Sequence, residues 1–216
     1  MNNNPWPELE QYAANNGLTV IGVDEAGRGP LFGPVVAGAA ILHNPNPIDG
    51  LACSKTLSEK KRLALYPQIQ GQAKYWAVAQ ASVEEIDNLN ILNASLLAMK
   101  RAVSQVAEQS GLQEDRLLVL VDGNKVPKWG FQARAIVKGD VYVPAISAGS
   151  ILAKVWRDNW CNEQAKNYPQ YELDKHMGYP TAQHMSLLKR HGASPLHRKT
   201  FRPVREVLQE QQGSLF

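Results

Sequence analysis

The sequence has few cysteines and no long apolar run, and both absences narrow what the chain can be. Cys53 and Cys161 are the two cysteines among 216 residues. They lie far apart without a Cys-x-x-Cys pair, so neither a disulfide framework nor a zinc site is indicated. Apolar runs such as 35–42 are far below the ~20 residues that a membrane-spanning helix needs. The first ten residues are polar and lack the basic start and apolar core of a signal peptide, which makes a cytoplasmic location the default expectation.

Acidic residues are missing from one stretch, Lys175 to Arg205, although the net charge of the chain is only +3. Its basic and imidazole side chains are Lys175, Lys189, Arg190, Arg198, Lys199, Arg202 and Arg205, with His176, His184, His191 and His197. We interpret this stretch as a candidate phosphate-facing surface. An ordinary solvated helix face is the alternative.

With 44% hydrophobic residues, a chain of this length can form one substantial domain. Apolar, β-branched runs predict strands at 18–24, 35–42, 74–80, 117–122 and 133–138. Capping residues and helical spacing predict helices at 58–66, after Ser82, at 91–109, at about 147–161 and at 181–191. Three strands before the first long helix, followed by alternating strand and helix, indicate an α/β sheet.

Adjacent carboxylates lie at the end of the first predicted strand. Asp24 and Glu25 come directly after the apolar run 20–23, so Asp24 is expected at the edge of a buried sheet. Unpaired carboxylates there are costly without cations, and Mg²⁺ and Mn²⁺ prefer carboxylate oxygen and water as ligands. A metal site is one interpretation and a turn capped by two acids is the other. Asp122 ends the apolar run 117–122 in the same way.

Two glycines flank an arginine immediately after this acid pair. Gly27 and Gly29 permit backbone conformations and a close approach that a Cβ would block, which exposes N–H groups to a ligand. Arg28 between them could grip a phosphate. A simple tight turn is the alternative.

The segment 24–30 resembles the amino-terminal signature of bacterial ribonuclease HII, the type 2 ribonuclease H. Further matches follow in order at Phe32 to Gly38, Ser54 to Ser58, Val121 to Asn124, Lys138 to Asp140, Ser150 to Val155 with Arg157-Asp158, His176 to Thr181, and His191 to Ala193. The resemblance covers roughly residues 18 to 205. It implies a ribonuclease-H-like mixed sheet flanked by helices, with a C-terminal helical part.

The resemblance also implies an activity. The expected enzyme is an endonuclease that hydrolyses the phosphodiester on the 5′ side of a ribonucleotide, in RNA–DNA hybrids and at single ribonucleotides in duplex DNA. It would leave 3′-hydroxyl and 5′-phosphate ends and act in genome maintenance. Asp24, Glu25, Asp122 and Asp158 would form a four-carboxylate site for two divalent cations, Mg²⁺ or Mn²⁺. Glu163, about one helical turn after Asp158, could reach a similar place.

The remaining site residues carried over from the resemblance would hold the substrate. The Gly27-Arg28-Gly29 backbone would meet the 2′-hydroxyl, and the Tyr179 ring would pack against the sugar of the following deoxynucleotide. Ser150 and Lys154 would contact the flanking phosphates. Within the acid-free stretch, Arg198 and Lys199 are our candidates for contacts with the nucleic-acid backbone.

Three positions depart from the usual pattern of the family. Cys53 stands where an aspartate is common, Met177 where a lysine is common, and Gly149 where an alanine is usual. None is a proposed metal ligand. Two other functions stay open: a catalytically silent nucleic-acid-binding module, and a nuclease that prefers long hybrids, as type 3 enzymes do.

We divide the chain into an N-terminal extension (1–17), a catalytic domain (18–206) and a polar tail (207–216) that is expected to be mobile. Near its end, Gln212, Leu215 and Phe216 resemble in spacing the short peptide by which bacterial replication and repair proteins bind the DNA sliding clamp. Such binding would concentrate the enzyme on newly copied DNA. The alternative is that Leu215 and Phe216 fold back on the domain.

Overall fold

Strands and helices alternate around one sheet in the computed structural model, which describes residues 4–44, 46, 48–51, 54 and 56–213. In chain order the elements are α1 (Trp6–Asn15), β1 (Thr19–Ala26), β2 (Val35–Ile41), α2 (Glu59–Gln72), β3 (Tyr75–Ala81), α3 (Val83–Leu89), α4 (Ile91–Ser110), β4 (Leu117–Asp122), β5 (Gln132–Ile136), α5 (Gly139–Tyr142), α6 (Pro144–Asn167), α7 (Leu173–His176), α8 (Ala182–His191) and α9 (Arg202–Gly213). Each predicted strand and helix is present, with ends displaced by a few residues.

The five strands lie in the order β3-β2-β1-β4-β5. The first three strands of the chain pair antiparallel, whereas β1 pairs parallel with β4 and β4 pairs parallel with β5. The sheet is therefore mixed, as expected. Because β1 and β4 run in the same direction, their carboxyl ends meet at one edge of the sheet.

Helices cover both faces of the sheet. On one face, α4 buries Met99, Val103 and Val106 against β1 to β4, because these apolar residues recur at helical spacing. On the other face, α6 packs along β1 and β2, with α1 and α2 beside it. Across the described ranges, no helix combines the length and apolar character that membrane crossing requires.

Glycines let α6 approach the sheet closely. A Cβ at Gly22 of β1 would lie 2.2 Å from the carbonyl carbon of Ala145. A Cβ at Gly149 of α6 would lie 2.4 Å from the backbone oxygen of Gly38 in β2. Backbone atoms cannot move aside as a flexible side chain can, so the small residues determine how near α6 sits. The glycine at 149, where the family usually has alanine, belongs to this contact.

Two terminal segments differ from expectation. In the N-terminal extension, α1 buries Leu9 and Ala13 against the face of the sheet that carries Leu118 and Leu120. The largely polar sequence of this segment did not predict a helix. The expectation of a mobile tail from residue 207 is wrong as far as residue 213, because α9 continues that far.

Buried contacts account for this second difference. Val204 and Val207 of α9 pack with Leu31 and Leu188 in one apolar cluster, which ties the helix to the domain. Several sequence predictions lie outside the described residues; they concern Cys53, Lys55, Ser214, Leu215 and Phe216.

Candidate active site at the carboxyl edge of the sheet

Two aspartates stand side by side at the carboxyl ends of neighbouring strands. Val23 of β1 pairs with Val121 of β4, and the next residue of each strand is an aspartate, Asp24 and Asp122. Adjacent strands lie about 4.8 Å apart, and side chains alternate between the two faces of a sheet. Both carboxylates therefore project to the face covered by α6, whereas Glu25 projects to the face covered by α4.

The carboxylate of Asp24 is buried and only half satisfied. Asp24 is 2% exposed. Its Oδ1 accepts a hydrogen bond of 2.7 Å from the backbone N–H of Glu25. Oδ2 is buried without a hydrogen-bond partner among the described residues. Burial, and then the charges of Glu25 and Asp122, raise the pKa of Asp24 well above its ordinary value, against a smaller opposite effect of the Ser150 hydroxyl.

The other two predicted acids are held by cationic neighbours. Arg28 Nη1 lies 3.1 Å from Glu25 Oε1, and Lys154 Nζ lies 2.6 Å from Asp158 Oδ1. In the part of the chain that the structure describes, no three His, Cys, Asp or Glu side chains already stand at metal-binding spacing. A cation bound to all four acids would therefore require Glu25 and Asp158 to turn away from these partners.

Glu163 does not share the setting of Asp158. Its side chain is 66% exposed and pairs with Lys166, whereas the Asp158 side chain is 19% exposed. One turn of α6 separates a solvated ion pair from an acid that faces the domain. This difference favours Asp158 over Glu163 as the acid that α6 contributes.

The Gly27-Arg28-Gly29 loop connects β1 to the site. Gly27 has φ +92°, and a Cβ there would lie 2.1 Å from Arg157 Nε, so another residue would be strained and crowded. A Cβ at Gly29 would lie 3.5 Å from Tyr179 Cε1, an ordinary contact. The Tyr179 ring is 41% exposed, and Lys154 Nζ lies 6.0 Å from its centroid. The structure thus brings Gly29, Lys154 and Tyr179 together.

Two predicted phosphate contacts are contradicted by burial. Arg198 is 0% exposed and donates to backbone carbonyls of the loop that follows β1, so it is not available to a phosphate. Ser150 is 2% exposed, and its Oγ lies 2.7 Å from Ser54 Oγ. The side chain of Lys199 is exposed, as contact with a phosphate requires, and the backbone N–H of Lys199 donates to Asp87.

Three histidines of the acid-free stretch are also buried, so the expectation that they face phosphate is wrong. The rings of His176 and His184 stack with centroids 4.4 Å apart, and Nε2 of His184 lies 3.2 Å from Nε2 of His197. Burial lowers the pKa of His184 to about 4 and that of His197 to about 3. Both rings are therefore neutral at pH 7.

Hydrogen bonds from these rings reach the loop that carries Tyr179. His184 Nδ1 donates to the Tyr179 carbonyl at 3.0 Å, because a carbonyl only accepts. His176 Nδ1 accepts from the Gly178 N–H at 3.2 Å. The sequence gave no indication that these histidines are buried, because a stretch with many basic and no acidic residues predicts an exposed surface.

The model of the ribonuclease HII family matches residues 21–204. Ribonuclease HII of Albidiferax ferrireducens is 58% identical over 191 residues, which cover 88% of this chain and 89% of that protein. Ribonuclease HII of Francisella tularensis subsp. holarctica is 51% identical over 193 residues, 89% of this chain and 100% of that protein.

Solved structures with a similar fold include ribonuclease H2 of Pyrococcus horikoshii, with a TM-score of 0.72 and 25% identity over 90% of this chain and 99% of that one. The ribonuclease HII of Archaeoglobus fulgidus, solved in a complex with PCNA, has a TM-score of 0.69 and 21% identity over 87% and 96%. A ribonuclease HIII named Bst-RNase HIII, solved with Mn²⁺, has a TM-score of 0.68 and 16% identity over 93% and 73%. These likenesses agree with the ribonuclease-H-like fold.

Proposed function

The chain belongs to the ribonuclease HII family and is an endoribonuclease acting on RNA–DNA hybrids, and we propose that it also cuts duplex DNA at single embedded ribonucleotides. Cleavage would fall on the 5′ side of the ribonucleotide and leave 3′-hydroxyl and 5′-phosphate ends. The cellular role would be removal of ribonucleotides from DNA in the cytoplasm.

One observation carries the chemical part of this proposal. Asp24 Oδ2 is buried without a hydrogen-bond partner among the described residues, and the charges of Glu25 and Asp122 act on the same carboxyl group. Unpaired carboxylates in a buried site are costly, and hard divalent cations bind carboxylate oxygen. The donor set therefore fits Mg²⁺ or Mn²⁺.

Asp24, Glu25, Asp122 and Asp158 are the proposed ligands of two such cations. A pair of divalent cations can activate a water and stabilise the leaving 3′-oxygen of a phosphodiester. Asp24 and Asp122 follow the paired residues Val23 and Val121 at the ends of neighbouring strands. Glu25 and Asp158 would exchange their Arg28 and Lys154 partners for the cations.

The substrate side of the proposal rests on groups that lie around this edge. We assign recognition of the 2′-hydroxyl to the Gly27-Arg28-Gly29 backbone, since that hydroxyl distinguishes RNA from DNA at a given position. The exposed ring of Tyr179 would pack on the sugar of the following deoxynucleotide. Lys154, once released from Asp158, would contact a flanking phosphate.

A cleavage assay tests substrate, cofactor and position together. Duplexes with one embedded ribonucleotide, with a continuous RNA strand, and with DNA alone are incubated with Mg²⁺ or Mn²⁺, and products are sized on sequencing gels. We expect cutting of the first two duplexes, 5′ of the ribonucleotide, and none of the third. Cleavage of hybrids without cleavage at the single ribonucleotide would favour the long-hybrid alternative.

Cation binding is measurable without catalysis. Titration calorimetry with Mn²⁺ should show binding to the parent protein and to Asp115→Asn, an exposed control, but much weaker binding to Asp122→Asn. Asp122→Asn should also abolish cleavage while it leaves substrate binding largely intact. Turnover by Asp122→Asn within tenfold of the parent would contradict the metal assignment.

Lys199 remains our candidate for a backbone phosphate contact, because it is exposed whereas Arg198 is not. Binding to a nucleic-acid duplex should weaken with salt, with a log–log slope of about −0.9 for each phosphate neutralised. Lys199→Ala should reduce the magnitude of this slope by about that amount. An unchanged slope would mean that Lys199 does not contact the backbone.

We also propose that the end of the chain binds the DNA sliding clamp through Gln212, Leu215 and Phe216. The spacing of these residues supports the proposal, and tethering would raise the local concentration of the enzyme on copied DNA. Deletion of residues 212–216 should leave cleavage of short duplexes unchanged and abolish clamp binding in a titration. Lost activity on short duplexes would instead favour the fold-back alternative.

A further inference from the structure

The guanidinium of Arg198 is buried and forms no salt bridge in the described part of the chain. It donates to four backbone carbonyls: Nε to Gly33 at 2.8 Å, Nη1 to Arg28 at 3.0 Å, and Nη2 to Gly27 at 2.6 Å and to Pro34 at 3.1 Å. Each of these acceptors belongs to the segment 27–34 that follows β1. Burying a charge is costly unless it is well hydrogen-bonded, and all four of these hydrogen bonds go to one loop, while the centroid of the Phe201 ring lies 5.1 Å from the guanidinium carbon.

The hydrogen bonds of Arg198 determine which way the loop peptides face. In a trans peptide the C=O of one residue and the N–H of the next point in opposite directions. Because the carbonyls of Gly27 and Arg28 turn inward to Arg198, the N–H groups of Arg28 and Gly29 turn away from it. Both residues are exposed, and within the described residues neither N–H makes a backbone hydrogen bond outside the regular elements.

These two N–H groups belong to residues that border the candidate site. Gly29 neighbours the Tyr179 ring, and the side chain of Arg28 pairs with Glu25 at 3.1 Å. Successive backbone N–H groups that converge on one side of a loop bind an electronegative oxygen. The position therefore offers two donors between the carboxylates and the exposed aromatic ring.

We propose that Arg198 is a positioning residue for ribose recognition, which holds the Gly27 and Arg28 carbonyls so that the Arg28 and Gly29 N–H groups meet the 2′-hydroxyl oxygen. This inference rests on the proposed function, which assigns that hydroxyl to the loop backbone. Arg198 itself touches no substrate. This positioning role takes the place of the phosphate contact that the sequence alone predicted for Arg198.

Arg157 provides a matched control. It is also buried, at 1% exposure, and it also donates to carbonyls, namely those of Pro34 at 3.3 Å, Met177 at 2.9 Å and Phe32 at 2.9 Å. It packs against Gly27, where a Cβ would lie 2.1 Å from its Nε, but it donates to neither the Gly27 nor the Arg28 carbonyl. Arg157→Lys and Arg198→Lys thus remove similar buried guanidinium groups. Only Arg198→Lys releases the peptides that present the two donors.

The test measures the ratio of two dissociation constants, one for a duplex with a ribonucleotide and one for the same duplex without it. In an Asp122→Asn background, so that no cleavage competes, fluorescence anisotropy gives Kd for a duplex with one ribonucleotide and for the same duplex in all-DNA form. Arg198→Lys should reduce the preference for the ribonucleotide by about threefold to tenfold, roughly the loss expected for one neutral hydrogen bond. The Kd for all-DNA duplex should stay the same, and Arg157→Lys should lower thermal stability yet keep the ratio.

Equal ratios in the parent and in Arg198→Lys would overturn the inference, as would an equal loss of preference in both lysine variants. If Arg198→Lys does not fold, Gly29→Pro removes one of the two donors while Arg198 stays in place, and the preference should fall by the same range. An unchanged preference in Gly29→Pro would overturn it. A parent protein with no preference at all would instead contradict the proposed function.

Discussion

At the scale of single residues, Asp24 shows a conflict between stability and function. Its folded-state pKa is raised by burial and by Glu25 and Asp122, so the ionised form is disfavoured in the folded protein. For an acid, a raised folded-state pKa means that the folded state loses stability as pH rises from the unfolded pKa toward the folded pKa. Removing the charge should therefore stabilise the fold.

Asp24→Asn should unfold at a higher temperature than the parent in EDTA while it loses cleavage activity. Each pKa unit of the shift corresponds to about 1.4 kcal/mol in the free energy of unfolding. For a chain of this size, each kcal/mol gained raises Tm by roughly 2 to 4 °C. Differential scanning calorimetry measures the change, with Asp115→Asn as an exposed control that should leave Tm unchanged. A lower Tm for Asp24→Asn would mean that the buried charge is not a cost.

Tyr179 is the residue for which we expect a difference between substrates. Tyr179→Ala should reduce kcat/KM on a single ribonucleotide in DNA about tenfold more than on a continuous RNA strand, because the ring would pack on the deoxyribose that follows a single ribonucleotide, and a tenfold difference corresponds to about 1.4 kcal/mol. Tyr179→Phe retains the ring and should behave as the parent. Equal losses on both substrates would make Tyr179 a packing residue.

Residue roles differed in how far the sequence could predict them. Asp24 and Asp122 follow apolar strands, and that local pattern placed them correctly at one edge of the sheet. The burial of Arg198 depends on carbonyls more than 160 residues away along the chain, and no local pattern records such a contact. The same holds for His184 and His197, whose neutral state follows from packing.

At the scale of elements, the contact between α6 and the sheet depends on the absence of side chains. Gly22→Ala would place a Cβ 2.2 Å from the carbonyl carbon of Ala145, so α6 would have to shift. We expect a loss of about 1 to 3 kcal/mol in the free energy of unfolding, typical of overpacking. Because α6 carries Lys154 and Asp158, kcat should fall as well.

Gly71→Ala is the matched control for this substitution. Gly71 lies inside α2, and a Cβ there would meet nothing within 4 Å. Alanine in a helix is favoured over glycine by about 0.5 to 1 kcal/mol, so this variant should be more stable than the parent. Urea unfolding curves of both variants check the pair, and a similar change in both would argue against the close contact of α6.

Element positions were the part of the fold that sequence patterns predicted best. The periodicity of α4 and the alternation in β3 are local properties, and both appear as expected. The helix α1 was missed because two buried residues among polar ones make a weak pattern. The continuation of α9 to Gly213 was missed because its polar sequence hides the two valines that anchor it.

At the scale of the whole molecule, the buried histidines predict loss of stability in acid. The folded-state pKa values of His184 and His197 are lowered to about 4 and about 3, below the unfolded value of about 6.5. A lowered pKa gives stability that is fully present above the unfolded value and is lost as pH falls toward the folded value. The free energy of unfolding should therefore fall between about pH 6.5 and about pH 3.

Urea unfolding at a series of pH values measures this decline. The double variant His184→Gln with His197→Gln should be less stable than the parent at pH 7 but should show a flatter pH dependence, because neither glutamine can take up a proton. His43→Gln replaces an exposed histidine and should keep the slope of the parent. A double variant that retains the full slope would assign the acid sensitivity to other groups.

The bonds between Arg198 and the loop after β1 also have a consequence during synthesis. The guanidinium and the Gly27 carbonyl are separated by 171 residues along the chain, and a ribosome adds about 5 to 20 residues per second. The loop therefore leaves the ribosome about 9 to 34 seconds before the arginine that orients it. During that interval β1 to β4 can pair, but the loop cannot take its final conformation, so a nascent chain acquires the loop that we propose for ribose recognition only after Arg198 has been added.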